Sequence, residues 1–452
     1  MSDEQPRPAA HDPYGVPTDA PDAVATGEQQ VSIRRWRIIG PGLVVAATGV
    51  GAADLVATLA AGSRYGYALL WAVIAGVIMK IILVEGAGRF SLASGLTIFQ
   101  GWRSLGRWTT WYFAPYIVIW GFVYGASAMT SSALPVVELF KKYAPGVLES
   151  LGEDALRNII AAVTGILGFL MVWFGRYQTF EKVVGTLVLL MMVTVVGISL
   201  FAVPNLGEAV AGLVPRIPDG GMVYVLSVAG GVGGTITLAA YGYWLREKGW
   251  AAPGWMKVMR LDNAVAYIIT GVFVIATMIM GVELLYRAGL TVESSDSSLL
   301  NLAGILQDEY GTFIGTAFLV GFWAAAFSSL VGVWNGVSLM FADFLGTTRK
   351  LPADHPDLRT GGKYFKWYVL WLTFPPMLLF FLNEPTGVTI AYGVLGALFM
   401  PFLALTLLGL LNSRRVPAEW RNRWYTNVLL AIVTGLFVWL GVDNLITTIT
   451  ES

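Results

Sequence analysis

The 452-residue chain contains no cysteine. That absence excludes disulfides, thiolate metal sites and cysteine nucleophiles. Histidine is almost as scarce. His11 lies in a polar N-terminal tail and His355 in a polar loop, so no histidine metal centre is expected among the apolar segments. Charged residues make up only 13% of the chain, against about 25% in a soluble domain. Lys plus Arg and Asp plus Glu both number 29, for zero net charge, and no nucleic-acid partner is indicated. The glycine cluster at 230–234 is not followed by Gly-Lys-Ser/Thr, so there is no phosphate-binding loop. No catalytic constellation is visible. The chain reads as a non-enzyme without a cofactor and with no obligate protein partner. No short apolar stretch precedes a small-residue cleavage site, and the first spanning helix is expected to act as signal anchor.

What is present is hydrophobic: 56% of residues, in runs of about 20, the length that crosses a hydrocarbon core. The pattern predicts an all-α polytopic protein of the lipid bilayer with about eleven transmembrane helices, from 38–62 through 424–447. The span at 109–140 is expected to be interrupted by Pro135, and that at 366–382 is short. Residues 1–37 read as a disordered tail. With the N-terminus inside, the outer segments carry only Arg64, Lys141, Lys142, Arg157, Arg216 and Arg287, and the other basic residues fall inside. The N-terminus is therefore expected to be cytoplasmic, in a multi-pass protein of the inner (plasma) membrane.

Two spans carry an anomaly. The first contains Thr48-Gly49-Val50-Gly51-Ala52-Ala53-Asp54, a glycine pair and one carboxylate in an apolar run. Glycine weakens a helix, and a charge at the membrane centre costs roughly 2.5–3.5 kcal/mol on insertion scales. Irregular backbone at that depth survives only when buried in protein or lining a cavity. The sixth span reads Gly230-Gly231-Val232-Gly233-Gly234-Thr235-Ile236-Thr237. A single small-residue repeat would indicate close helix packing; four clustered glycines with two threonines indicate an unwound segment. Broken helices 1 and 6 mark a 5+5 inverted repeat of the LeuT type, with substrate between the breaks. The expected division is 38–203 for the first repeat, 204–411 for the second, and 412–452 for a loop and an appended helix 11. Gly51, Ala52, Asp54, Gly230, Gly233, Gly234 and Thr235 are the expected substrate-binding residues, with Asp54 the metal ligand. A carboxylate with free carbonyls suits a hard cation.

The stretch Gly40-Pro41-Gly42 through Gly62-Ser63-Arg64-Tyr65-Gly66-Tyr67 resembles the start of the Nramp divalent-metal transporters. So do Phe322 to Ser329, Gly336 to Met340 and Leu411 to Arg415. The resemblance implies the same inverted-repeat architecture and, in the family's best-known members, proton-coupled transport of manganese or iron. Its ligand motifs are altered here. The Asp-Pro-Gly-Asn of the family's first break aligns with Gly51, Ala52, Ala53 and Asp54. The Met-Pro-His-Asn of the sixth helix aligns with Gly233, Gly234, Thr235 and Ile236, and a tenth-helix glutamine with Phe399. Losing the thioether shifts the preference from soft transition metals towards magnesium, which keeps several of its waters. The resemblance thus implies a divalent cation as substrate, Mg2+ or possibly Mn2+, as in the divergent branch that includes magnesium transporters. The alternative is an Nramp-fold transporter that has lost the metal site and carries a non-metal solute. A third reading is a non-transporting receptor or scaffold.

The remaining intramembrane polar groups have ordinary readings. Lys80 is expected to pair with a neighbouring helix or to snorkel, and Glu85 to pair with Arg89 at i, i+4. Glu138 is expected either to face an outer vestibule or to sit at the interface beside Lys141 and Lys142, and Asp262 to be an N-cap of the seventh span. Asp343 is expected near the cytoplasmic interface, Tyr241 and Tyr243 in aromatic packing, and Ser328, Ser329 and Asn335 either in interhelical hydrogen bonds or along a wet path.

Overall fold

In a transmembrane chain the backbone satisfies itself within helices, and the computed structural model has that character. It describes residues 40–231, 234–291, 297–352, 355–382 and 385–451; the expected tail lies outside them. In chain order the helices are α1 (Pro41–Gly49), α2 (Ala52–Tyr65), α3 (Leu70–Ser94), α4 (Ile98–Ser104), α5 (Arg107–Tyr143), α6 (Pro145–Leu151), α7 (Glu153–Phe174), α8 (Tyr177–Met191) and α9 (Gly197–Phe201). They continue with α10 (Leu206–Ala211), α11 (Met222–Gly231), α12 (Thr237–Glu247), α13 (Met256–Met280), α14 (Ser297–Tyr310), α15 (Thr312–Thr348), α16 (Lys363–Thr373), α17 (Pro385–Leu411) and α18 (Trp424–Glu451). Among the described residues, six helical stretches have the length and apolarity to cross a membrane, and further apolar helices are shorter.

The first and sixth spans are each split in two, as expected. α1 stops at Gly49 and α2 starts at Ala52; α11 stops at Gly231 and α12 starts at Thr237. One expectation needs correction. Pro135 does not interrupt the third span: α5 runs unbroken from Arg107 to Tyr143 with both Pro115 and Pro135 inside it. Neighbouring helices that cover a proline can accommodate the lost backbone bond in a membrane. The ninth span is α16 followed by a 3-10 stretch from Pro375 to Leu382, because two successive prolines cannot continue an α-helical ladder.

α15 is the pillar of the bundle, with Ala324 through Met340 wholly buried. Its glycines are notches for its neighbours. Gly332 faces the Thr48 methyl of α1, Gly336 the Trp244 ring of α12, and Gly168 of α7 receives Leu330. Small residues allow such close approach where hydrophobicity alone gives helices no reason to associate. Against α5, α17 stacks aromatic rings: Phe402 lies nearly parallel to Tyr112 at 4.5 Å and Phe399 to Tyr116 at 5.5 Å, while Tyr392 meets Tyr124 at a tilt, 5.2 Å away. The hydroxyls of Tyr112 and Tyr116 donate to the carbonyls of Leu398 and Leu395.

Gly76 brings α3 against α11. A Cβ there would stand 2.8 Å from the Ala229 carbonyl oxygen. Gly76→Val is therefore expected to lower stability by about 1–3 kcal/mol through overpacking, measured as thermal unfolding in detergent. Gly304→Ala, in α14 with nothing within 4 Å of its Cβ position, should leave stability unchanged or raise it by about 0.4–1 kcal/mol.

Candidate functional site

The two breaks meet. Gly234 has φ +86, a conformation that favours glycine. A Cβ on it would lie 3.1 Å from the Gly49 Cα and 2.9 Å from the Thr237 hydroxyl oxygen. The last residues of α1 thus touch the unwound chain between α11 and α12. Helix C-termini leave carbonyls without intrahelical partners and carry partial negative charge. At the end of α1 the Thr48 carbonyl accepts a hydrogen bond from Ser329 of α15 at 3.1 Å. In the second break, Leu238 N–H donates to Thr235 O at 3.2 Å. The Gly234 carbonyl, its partner in a continuous helix, accepts instead from Lys80 Nζ at 2.5 Å.

Lys80 has no solvent exposure. Its ammonium also lies 3.8 Å from the Met400 sulfur of α17 and 6.0 Å from the Phe437 ring centroid of α18. Of the two expectations for Lys80, contact with a neighbouring span holds and snorkelling does not: the ammonium donates to a backbone carbonyl of the sixth span inside the candidate site. Thr237 is buried beside it, and its hydroxyl makes no hydrogen bond.

The expected site residues fall as follows. Gly51 lies in the first break, half-buried, and Ala52 begins α2. Asp54 is the third residue of α2, at the edge of the break; its side chain lies outside the described groups. Gly230 is the penultimate residue of α11, and Gly233 lies outside the described residues. Gly234 is buried and Thr235 half-buried, with the Thr235 methyl against Gly396 of α17. Among the described residues no three His, Asp or Glu side chains are grouped to hold a metal ion. Phe399 is a packing residue, 5.5 Å from the Tyr116 ring.

The Gly40 end of α1 is held by a carboxylate. Asp262 accepts from Gly40 N–H at 3.0 Å on one oxygen and from Gly42 N–H at 2.6 Å on the other. Tyr241 O–H adds a third bond at 2.9 Å. Asp262 sits inside α13 rather than at its start, so it caps α1 and not its own helix. Beside it, Lys248 pairs with Glu181 at 2.5 Å. At the Tyr67 end, Tyr67 O–H and Asn205 N–H donate to Glu283, which also pairs with Arg287.

A sequence model described as natural resistance-associated macrophage protein-like matches residues 42–447. The chain belongs to the Nramp family. Its fold is shared with solved structures of a manganese transporter from Eremococcus coleocola. Two variants of that protein are 15% and 16% identical to this chain, each with TM-score 0.72, covering 95% of this chain and 89% of the other. It is also similar to Mhp1, a nucleobase-cation-symport-1 family transporter in a closed conformation with bromovinylhydantoin bound. There the identity is 16% and the TM-score 0.57, over 90% of this chain and 92% of that one. This Nramp protein is thus a multi-pass membrane protein of the LeuT fold, with broken helices 1 and 6.

Other polar groups divide between the expected and the unexpected. Glu85 pairs with Arg89 at 3.1 Å and also with Arg260 at 2.9 Å, and Glu138 pairs with Lys141 at 2.7 Å. Ser329 and Asn335 do make interhelical bonds, the latter accepting from Trp244 Nε1, whereas Ser328 bonds to Ala325 of its own helix. Asp343, near the end of α15, is buried and accepts from Tyr243 O–H at 2.6 Å, so Tyr243, like Tyr241, serves a carboxylate rather than packing alone.

Asp262→Asn removes one acceptor facing two amides. The expected cost is about 1–3 kcal/mol of α1 anchoring. Because the chain has no cysteine, a single Ala46→Cys reporter in α1 should label several-fold faster in the Asp262→Asn background. Equal rates would show that α1 is held elsewhere.

Proposed function

We propose that this Nramp protein is a secondary transporter of a divalent metal cation, working by alternating access about the two breaks. The observation that carries the reading is the meeting of Gly49 and Gly234, which places two interrupted helices, and the carbonyls they release, at one point. Substrates of transporters built on inverted repeats bind at such points. Family membership and the likeness to a manganese transporter support a metal cargo. Asp54 is the charged ligand in this reading, with carbonyls from 49–53 and the second break and with Gly51, Ala52, Gly230, Gly233, Gly234 and Thr235 forming the wall. Glycines in place of larger ligands suit a hard ion that keeps part of its water, such as Mg2+. The protein lies in the plasma membrane with its N-terminus in the cytoplasm, and residues 38–203 and 204–411 are the two repeats, followed by an appended segment at 412–452.

A second reading has its own support. Lys80 donates to the Gly234 carbonyl, one of the groups a metal ion would use, and this favours a non-metal solute on the same scaffold.

Uptake of Mg2+ and Mn2+ into proteoliposomes, followed with an internal metal-sensitive dye, separates the two. The cation reading expects Asp54→Ala to reduce uptake about tenfold or more, equivalent to at least ~1.4 kcal/mol. Wild-type vesicles that take up neither ion, with no heat of binding on titration with either, would leave the solute reading.

A further inference from the structure

We infer that the corner where α16 begins beside the end of α7 binds one anionic phospholipid, with its phosphate held by Lys363 and Lys366 and an acyl chain laid along α16. The first observation is charge without a counter-charge. Lys363 Nζ lies 5.1 Å from the centre of the Trp367 ring, and Lys366 Nζ lies 4.9 Å from that of Trp173 in α7. The Arg349 guanidinium, just past α15, lies 5.1 Å from the centre of the Tyr364 ring. Among the described residues none of these three cations pairs with a carboxylate, and neither ammonium donates a hydrogen bond. By contrast, Lys141, Arg157, Lys248 and Arg287 are each neutralised by a carboxylate. An aromatic face engages one side of an ammonium. A lysine carries three N–H donors, so donors remain for an incoming anion.

The second observation is the shape of the surface beside these charges. Lys363, Trp367, Leu370 and Phe374 follow one another at helical spacing, and so share one face of α16 and the residue just past it. Leu370 is half-buried and the other three are exposed. The stripe covers about 16 Å at 1.5 Å per residue, close to the ~15 Å of hydrocarbon in one leaflet. α7 supplies a second wall: Phe169 meets Phe374 edge-on at 5.3 Å, and Phe174 is exposed beside Trp173. A free phosphate would use the cations but not the stripe, and a neutral lipid the stripe but not the cations. An anionic phospholipid uses both. Tyr368 of α16 stacks on Phe341 of α15 at 4.5 Å, so the lipid bears on the pillar of the bundle rather than on the breaks. The site is independent of the transported cargo.

The test uses full-length protein in detergent, with phosphatidylglycerol, phosphatidylcholine or inorganic phosphate added in turn. Retained lipid is read by native mass spectrometry, and stability by thermal unfolding. Wild type should retain one phosphatidylglycerol in preference to phosphatidylcholine, and phosphatidylglycerol alone should raise the unfolding midpoint. A basic residue at an anionic surface strengthens attraction about fivefold. Lys363→Gln combined with Lys366→Gln should therefore weaken phosphatidylglycerol binding roughly thirtyfold and abolish the midpoint shift. Lys363→Arg combined with Lys366→Arg should keep both, as should Lys141→Gln at the opposite end of the bundle. Equal phosphatidylglycerol binding by wild type and the Gln pair overturns the inference. So does an equal loss in Lys141→Gln, which would make the attraction a diffuse effect of charge. Inorganic phosphate that raises the midpoint as far as phosphatidylglycerol overturns it in favour of a free anion. A dimer that disappears with the Gln pair overturns it in favour of a second copy of the chain.

Discussion

Backbone groups released by a broken helix have to be satisfied by the protein itself when water is absent, and the structure is arranged around that requirement. Each end of the split first helix, and the unwound part of the sixth, has a specific partner from another element. Asp262 of α13 takes the amides of Gly40 and Gly42. Ser329 of α15 donates to the Thr48 carbonyl. Lys80 of α3 donates to the Gly234 carbonyl. An unsatisfied buried polar group costs about 1–3 kcal/mol, so Ser329 and Lys80 make the interruptions tolerable, while Asp262 holds the far end of α1. They also fix where the interruptions lie relative to one another.

The partners need rigid mounting. α15 provides it through close contacts at Gly332 and Gly336, and α5 with α17 through stacked rings. Neither region contains charged groups near the junction, which keeps the interior apolar and strengthens the few polar contacts that remain. The described part of the site is consequently sparse: glycine backbone, two threonines, one ammonium and the ring and sulfur beside it.

Much of the architecture was legible in the sequence because glycine and proline act locally. The pair at 49 and 51 and the cluster at 230–234 announced both breaks, and the i, i+4 spacing of Glu85 and Arg89 announced their ion pair. Pro135 misled because its effect depends on the helices that cover it, which no local pattern shows. Asp262 and Asp343 were read by sequence neighbourhood, as a cap and an interfacial group, whereas their partners are 222 and 100 residues away. Lys80 was legible only as one of two alternatives. It stands alone between apolar residues at mid-span, the sequence sign of a charge that cannot reach water. The length of a lysine side chain made escape to an interface look cheap, and only the three-dimensional contact shows the Gly234 carbonyl within reach. The altered family motifs were legible as substitutions, but the ammonium beside them belongs to a helix outside those motifs.

α13 has a bearing on motion. Asp262 near its start holds the Gly40 end of α1, and Glu283, just past its last α-helical residue, receives Tyr67 and the Asn205 amide. The 21 intervening residue steps, at 1.5 Å each, make a rod about 30 Å long. The Gly40 end of α1 and the Tyr67 turn after α2 are therefore tied to one rod. A tilt that strains one tie displaces the other, so the free energies of movement at the two ends are coupled by linkage.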